Sequence, residues 1–90
     1  MTDPEEYTFQ GFYIPSRMIA GIRRYVDERI PPGRFLTAII QNNLSGAVGQ
    51  ADDENMKNIP AFVGYCYNKT PGACWGSKAK MKAWLEGDPK

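Results

Sequence analysis

The sequence predicts a mainly α fold: a compact bundle of three or four helices with an extended aromatic N-terminal arm. Apolar residues recur at the three- and four-residue spacing of amphipathic helices over most of the chain. Clusters of proline, glycine and asparagine separate these helical segments. Residues 7–14 instead combine aromatic and β-branched side chains, which is typical of extended backbone. No partner strand is evident for them, so we expect an arm that lies across the helices or a neighbouring subunit.

The first predicted helix opens at Ile14-Pro15-Ser16 and ends before Pro31-Pro32-Gly33. A second begins near Arg34, and its apolar stripe can continue as far as Val48. The segment Ala51-Asp52-Asp53-Glu54-Asn55 supplies an N-cap and acidic residues for a third helix, in which Pro60 either produces a kink or marks a later start. Ser77 caps a short last helix that ends at Gly87. Ninety residues suit one domain, so we expect an arm over 1–12, acidic in its first six residues, and a helical domain over 13–87.

Composition limits the classes of partner. A net charge of +1, from eleven basic and ten acidic residues, does not predict specific DNA binding. No apolar run approaches the roughly 20 residues that span a bilayer, and the acidic start of the chain has no apolar secretion signal. We therefore expect a cytoplasmic protein with no membrane partner. Because a chain this short has a thin core, we also expect a homo-oligomer.

The sequence argues against an enzyme. It contains no histidine, the usual general base near neutral pH. Cys66 and Cys74 are expected to be free thiols in a reducing compartment, and two cysteines without histidine do not complete a zinc site. The acids Asp52, Asp53 and Glu54 are accounted for by helix capping. We predict no catalytic residue, no metal and no cofactor.

The best candidate for ligand binding is the segment Trp75-Gly76-Ser77-Lys78. A capped helix start offers backbone N–H groups, Lys78 adds charge and Trp75 a stacking surface, which together could hold a phosphate and a base. The alternative is an ordinary helix cap with Trp75 packed in the core. The arginines Arg29 and Arg34, on either side of the Pro-Pro-Gly break, are further candidates, or else solvated charges. Tyr13 could stack a base, or help Phe12 to hold the arm in place.

An ordered series of short motifs extends across residues 13–85. It includes Ile14-Pro15 with Met18, Gly21-Ile22 with Arg24-Tyr25, Ile30-Pro31-Pro32-Gly33 with Phe35-Leu36, Asn43-Leu44, Ala51-Asp52, Tyr67-Asn68 with Pro71, and Cys74-Trp75-Gly76-Ser77 with Trp84. The series resembles a family of small accessory proteins carried by bacteriophages and mobile elements. The resemblance implies a role during phage infection, in the host cytoplasm.

Two functions fit these expectations. The first is an anti-defence protein that sequesters a host signalling nucleotide, such as a cyclic nucleotide, without cleaving it. The second is a protein-binding inhibitor or regulator of a host enzyme, since Tyr, Trp, Phe, Met and Arg are favoured at such interfaces. A transcriptional regulator ranks last, because Arg23 and Arg24 share the first helix with Asp27 and Glu28.

Overall fold

A computed structural model of the chain describes residues 7–87; the acidic lead predicted over residues 1–6 lies outside the described part. The fold is mainly helical, as predicted. In order, the elements are strands β1 (Tyr7–Phe9) and β2 (Phe12–Ile14), followed by helices α1 (Ser16–Glu28), α2 (Arg34–Ile40), α3 (Leu44–Gln50), α4 (Asp53–Lys57), α5 (Ile59–Lys69) and α6 (Lys78–Leu85). One 3-10 turn, Gly72–Cys74, precedes α6.

The predicted extended segment is a β-hairpin that pairs with itself. β1 and β2 are antiparallel, with Tyr7 opposite Ile14 and Phe9 opposite Phe12. Gln10 and Gly11 form the turn, both at positive φ, as tight hairpin turns require. Each strand has only three residues, so the sequence shows too little alternation to reveal the pairing. β2 also crosses the predicted boundary between arm and helical domain.

The hairpin packs on α5 through aromatic contacts. The rings of Tyr7 and Tyr65 meet edge to face, with centroids 5.1 Å apart. Phe9 lies against Gly64, where an added Cβ would come within 2.9 Å of the Phe9 ring. The Tyr13 amide donates to the Asn58 side chain over 3.0 Å, which fixes the second strand at the start of α5.

Helix α1 ends before the prolines that were expected to stop it. Arg29 adopts a left-handed conformation with φ of 58°, and the amide of Ile30 reaches back to the Arg24 carbonyl. Pro31-Pro32-Gly33 then forms the connection to α2.

The second and third predicted helices are each divided into two. Asn42, at φ of 61°, separates α2 from α3, and the Asn43 side chain caps α3 by accepting from the Gly46 amide. Asn58 separates α4 from α5 and places Pro60 in the first turn of α5, which decides between the two readings of that proline in favour of a later start.

The core lies between α1, α2 and α5. Tyr25, Ile22 and Phe62 are almost completely buried, and Phe62 meets Phe35 edge to face. The amide of Gly76 donates to the carbonyl of Ile40 over 2.7 Å, which ties the turn before α6 to the end of α2. α2 thereby lies between α3 and α6. Among the described residues, no helix is long and apolar enough to cross a membrane.

Candidate functional site

The segment Trp75–Ser77 is held mainly by bonds within the protein. The Gly76 amide is bonded to Ile40, as above, and the glycine has φ of +115°, a conformation that other residues rarely adopt. Trp75 is half-buried against the core. The Ser77 hydroxyl oxygen accepts from the Lys80 amide over 3.1 Å and caps α6, as predicted. The groups proposed to receive a phosphate are therefore already used in large part, and the predicted role of this segment in binding stays a prediction.

Lys78, unlike the half-buried residues 75–77 that precede it, is exposed, and it lines a groove. Lys82, one turn further along α6, lines the same groove. Lys80 faces elsewhere, and its ammonium lies 3.4 Å from the Gly72 carbonyl oxygen. This division follows helix geometry, in which residues four apart share a face and residues two apart do not.

Arg34 lies across α2 from Lys78 and belongs to a polar stripe. Arg34, Thr37 and Gln41 are spaced three and four residues apart, so they line the same face of α2. Two grooves flank this stripe, and both are lined by Thr37 and Gln41. Below we call the two together the α2 grooves.

The first of the α2 grooves, between α2 and α3, is the more polar of the two, although Pro32 and Ala38 also line it. It measures about 480 Å³ and is lined by Arg34, Thr37, Gln41, Asn43 and Gln50, with backbone at Gly33 and Gly46. Its side chains offer one guanidinium, one hydroxyl and three amides. This chemistry suits phosphate and sugar oxygens, which accept hydrogen bonds from such donors.

The second of the α2 grooves, between α2 and α6, has an apolar floor. It measures about 490 Å³, and Pro31, Met81 and Leu85 provide its apolar lining, which we call the floor. Its polar lining, which we call the rim, comes from Lys78, Lys82, Glu86, Thr37 and Gln41. An apolar floor with a polar rim suits a flat ring system that carries hydrogen-bonding groups on its edge.

The stripe keeps its hydrogen-bonding capacity available. Among residues 7–87, the Thr37 hydroxyl makes only a long contact of 3.4 Å, to the Pro32 carbonyl, and the Gln41 amide contacts only the Met81 sulfur, at 3.5 Å. Within the described part of the chain, Arg34, Lys78 and Lys82 make no side-chain hydrogen bond or ion pair. Thr37, Gln41 and Lys82 were not predicted from the sequence, although the spacing of residues 34, 37 and 41 was a visible signal.

Arg29, by contrast, is committed to Trp84. Its guanidinium lies 4.0 Å from the centre of the indole ring and donates to the Trp84 carbonyl over 2.8 Å. The indole N–H in turn donates to the Val26 carbonyl over 3.2 Å. We call this cluster of Arg29, Trp84 and Val26 the α1–α6 junction. Arg29 is not placed on the α2 grooves.

Tyr13 is also apart from the grooves, on the hairpin. Its hydroxyl donates to the Glu54 carboxylate over 2.5 Å, and this hydrogen bond raises the pKa of the phenol. Arg17 lies 3.4 Å from the same carboxylate and 3.5 Å from Asp52. Tyr13 remains 41% exposed.

The two thiols are buried and protonated at neutral pH. Desolvation raises the pKa of Cys66 to about 12 and also raises the pKa of Cys74. A protonated thiol is a poor nucleophile, because the thiolate is the reactive form. In the described range no three His, Cys, Asp or Glu side chains are grouped so as to hold a metal ion.

Comparison with known proteins adds no assignment: no family model, no curated protein and no solved structure matches the chain.

Proposed function

We propose that this protein binds and sequesters a phosphorylated small molecule, such as a host signalling nucleotide, and releases it unchanged. The observation that carries the proposal is the pair of α2 grooves, which lie on either side of one stripe: the first is the more polar and contains Arg34, and the second combines apolar side chains with Lys78 and Lys82. A nucleotide has the same division between an anionic phosphate and a flat base. Each groove is within the roughly 300–1,000 Å³ of small-molecule sites.

Three side chains supply the positive charge that a phosphate requires. Arg34 lies on the first groove, and Lys78 and Lys82 lie on the second. Arginine binds phosphate oxygens through two parallel N–H donors, whereas lysine acts as a point charge. Cations on both sides of the stripe favour a ligand with more than one phosphate, and cyclic nucleotides belong to this class.

Binding without cleavage is favoured by the chemistry of the chain. It has no histidine to act as a base, and neither buried thiol is available as a nucleophile. The resemblance to phage accessory proteins supplies the biological setting. In that setting, removal of an immune signal in the host cytoplasm would be an anti-defence activity.

Isothermal titration with cyclic dinucleotides, cyclic trinucleotides and ADP-ribose tests the proposal, with mass analysis of the ligand recovered afterwards. We expect one class of ligand to bind reversibly and to be recovered intact. Arg34→Ala and Lys78→Ala should each weaken binding, while Arg24→Ala, an exposed arginine of α1 away from the grooves, should not. Recovery of a cleaved ligand would contradict sequestration.

A second function is favoured by a different surface. Helix α5 buries Ala61, Phe62, Tyr65 and Cys66 but also presents apolar side chains outward. Tyr67 is 78% exposed, and Leu44 of α3, which lines a small groove together with Val63 of α5, is 68% exposed. Between the hairpin and this outer face is an apolar groove of about 450 Å³, lined by Phe9, Pro60, Val63 and Tyr67. We use the name α5 surface for Phe9, Pro60, Val63 and Tyr67 together with Leu44. Exposed apolar surfaces of this kind are common at protein interfaces.

The α5 surface supports either a host protein partner or self-association, and the predicted homo-oligomer would use it. Light scattering of the wild type and of Val63→Asp separates these outcomes, because a buried charge would dissociate an oligomer closed by this surface. If the protein is oligomeric and the variant is monomeric, the surface is used between copies, and inhibition of a host enzyme loses its support. If both are monomeric, a pull-down from host lysate should return one stoichiometric partner that Val63→Asp does not bind.

A further inference from the structure

The second of the α2 grooves contains a carboxylate that phosphate binding does not explain. Glu86 lies at its rim with Lys78 and Lys82. Its side chain is exposed and, within residues 7–87, makes no hydrogen bond or ion pair. A negative charge repels a phosphate placed nearby, so Glu86 weakens the cationic character of this groove.

The apolar floor indicates which part of a nucleotide belongs beside Glu86. Met81 is buried, Leu85 is half-buried and Pro31 is exposed, and together they present carbon and sulfur atoms to the groove. Such a floor provides contact for the face of a base, but no hydrogen bond for a phosphate or a ribose. The edge of a base on this floor then points toward the rim, where the polar side chains lie.

Nucleobases differ in what they offer to a carboxylate. A carboxylate only accepts hydrogen bonds, through two oxygens side by side. Guanine presents two adjacent donors, N1–H and the N2 amino group, which match those oxygens. Adenine presents one amino donor next to the N1 acceptor, and this acceptor would face a carboxylate oxygen without a proton between them. A carboxylate therefore favours guanine and disfavours adenine.

We propose that the groove between α2 and α6 takes a guanine base, and that Glu86 selects it by accepting hydrogen bonds from N1–H and the N2 amino group. This inference rests on the proposed function and deepens it by naming the base. The phosphates then lie toward Arg34 and Lys78, which is eight residues, or about two turns of α6, away from the carboxylate.

The test is the affinity ratio for cyclic di-GMP over cyclic di-AMP, which have the same phosphates and riboses and differ only in the base. We expect the wild type to favour cyclic di-GMP by about 10-fold, as one bidentate pair would give. Glu86→Gln, which replaces one acceptor by a donor, should bring the ratio close to one. Glu28→Gln removes the same charge from an exposed position on α1 and should leave the ratio unchanged.

The ratio distinguishes base selection from simple repulsion. If Glu86 only repels phosphate, Glu86→Gln strengthens the binding of both ligands equally, and the affinity ratio stays constant. This result overturns the inference. A wild-type ratio at or below one overturns it too. In either of these cases, weaker binding in Arg34→Ala would show that the proposed function still holds. If neither ligand binds the wild type, the inference fails, and titration with the remaining nucleotide classes decides whether the proposed function fails with it.

Discussion

The cationic side chains of the α1–α6 junction and those of the α2 grooves differ in how far their hydrogen-bond donors are already used. At the junction, the Arg29 guanidinium is stacked on Trp84 and bonded to its carbonyl. Along the grooves, Arg34 and Lys78 point into open space with no partner in the described part of the chain. From the sequence, Arg29 and Arg34 were equal candidates for ligand binding, since both flank the Pro-Pro-Gly break. The contrast shows that a cation becomes a candidate ligand group only when the packing around it leaves its donors unused.

At the α1–α6 junction we expect the greatest change in the free energy of unfolding. Trp84→Ala removes the indole that holds Arg29 and bonds to Val26. We expect a loss of about 3 kcal/mol in the free energy of unfolding, the lower part of the range for tryptophan truncations because the ring is half-buried. Urea denaturation measures it. A loss below about 1 kcal/mol would mean that the junction does not stabilise the packing of α6 on α1.

At the α2 grooves, in contrast, we expect a substitution to lower ligand affinity and to leave stability almost unchanged. Arg34→Ala is expected to weaken binding of the nucleotide ligand about 10-fold, or about 1.4 kcal/mol. The free energy of unfolding should change by less than about 0.5 kcal/mol, as is usual for an exposed side chain without partners. Titration and urea denaturation of the same preparation give both numbers. A large loss of stability with unchanged affinity would place Arg34 with Arg29 as a structural residue.

A change of comparable size in the free energy of unfolding is expected when the pH is raised, because of the buried thiol of Cys66. Its folded pKa is about 12, against about 9 for an unburied thiol. Because the folded pKa is raised, the associated stability is fully present below pH 9 and is lost as the pH rises toward 12. Between pH 8 and pH 10 the loss should be about 1.4 kcal/mol.

Urea denaturation at the two pH values measures this loss, and Cys66→Ala is the control. The variant is less stable at both pH values, but the difference between them should be smaller by the amount due to the thiol. An identical pH dependence in the two proteins would show that Cys66 does not titrate on unfolding in this range.

The smallest effect separates two neighbouring residues at the start of α6. Ser77→Ala removes the cap of the helix and should cost about 1 kcal/mol of stability, with less than a threefold change in ligand affinity. Lys78→Ala should weaken ligand binding and leave stability almost unchanged. Should Ser77→Ala weaken binding as strongly as Lys78→Ala, its hydroxyl proton also contacts the ligand, as the sequence first suggested.

Helix starts and stops that depend on local chemistry were predictable from the sequence. Ser77 caps α6 and Gly87 follows its end, at φ of 82°. The break at Asn42 was not predicted, because the apolar spacing continues through it and conceals the turn-forming asparagine. The later helix start that follows Asn58 was one of two alternatives that Pro60 left open. The hairpin was missed for a related reason, since strands of three residues carry almost no periodic signal.

The candidate site depended on tertiary packing to a greater extent. The α2 grooves exist because α3 and α6 pack on opposite sides of α2, and the bond from Gly76 to Ile40 fixes α6 there. No local pattern predicts that long-range bond. Lys78 and Arg34 could be chosen from the sequence as exposed cations near helix starts, but their position on either side of one stripe could not.

Native mass spectrometry of the protein purified from a bacterial host, before and after addition of the nucleotide panel, is the decisive test of nucleotide sequestration. It reports the number of subunits and the bound mass in one spectrum. We expect a stoichiometric gain equal to the mass of an intact nucleotide, and the absence of this gain in Arg34→Ala and Lys78→Ala. Spectra that show no nucleotide adduct with any member of the panel would contradict sequestration and shift the function to a protein partner at the α5 surface.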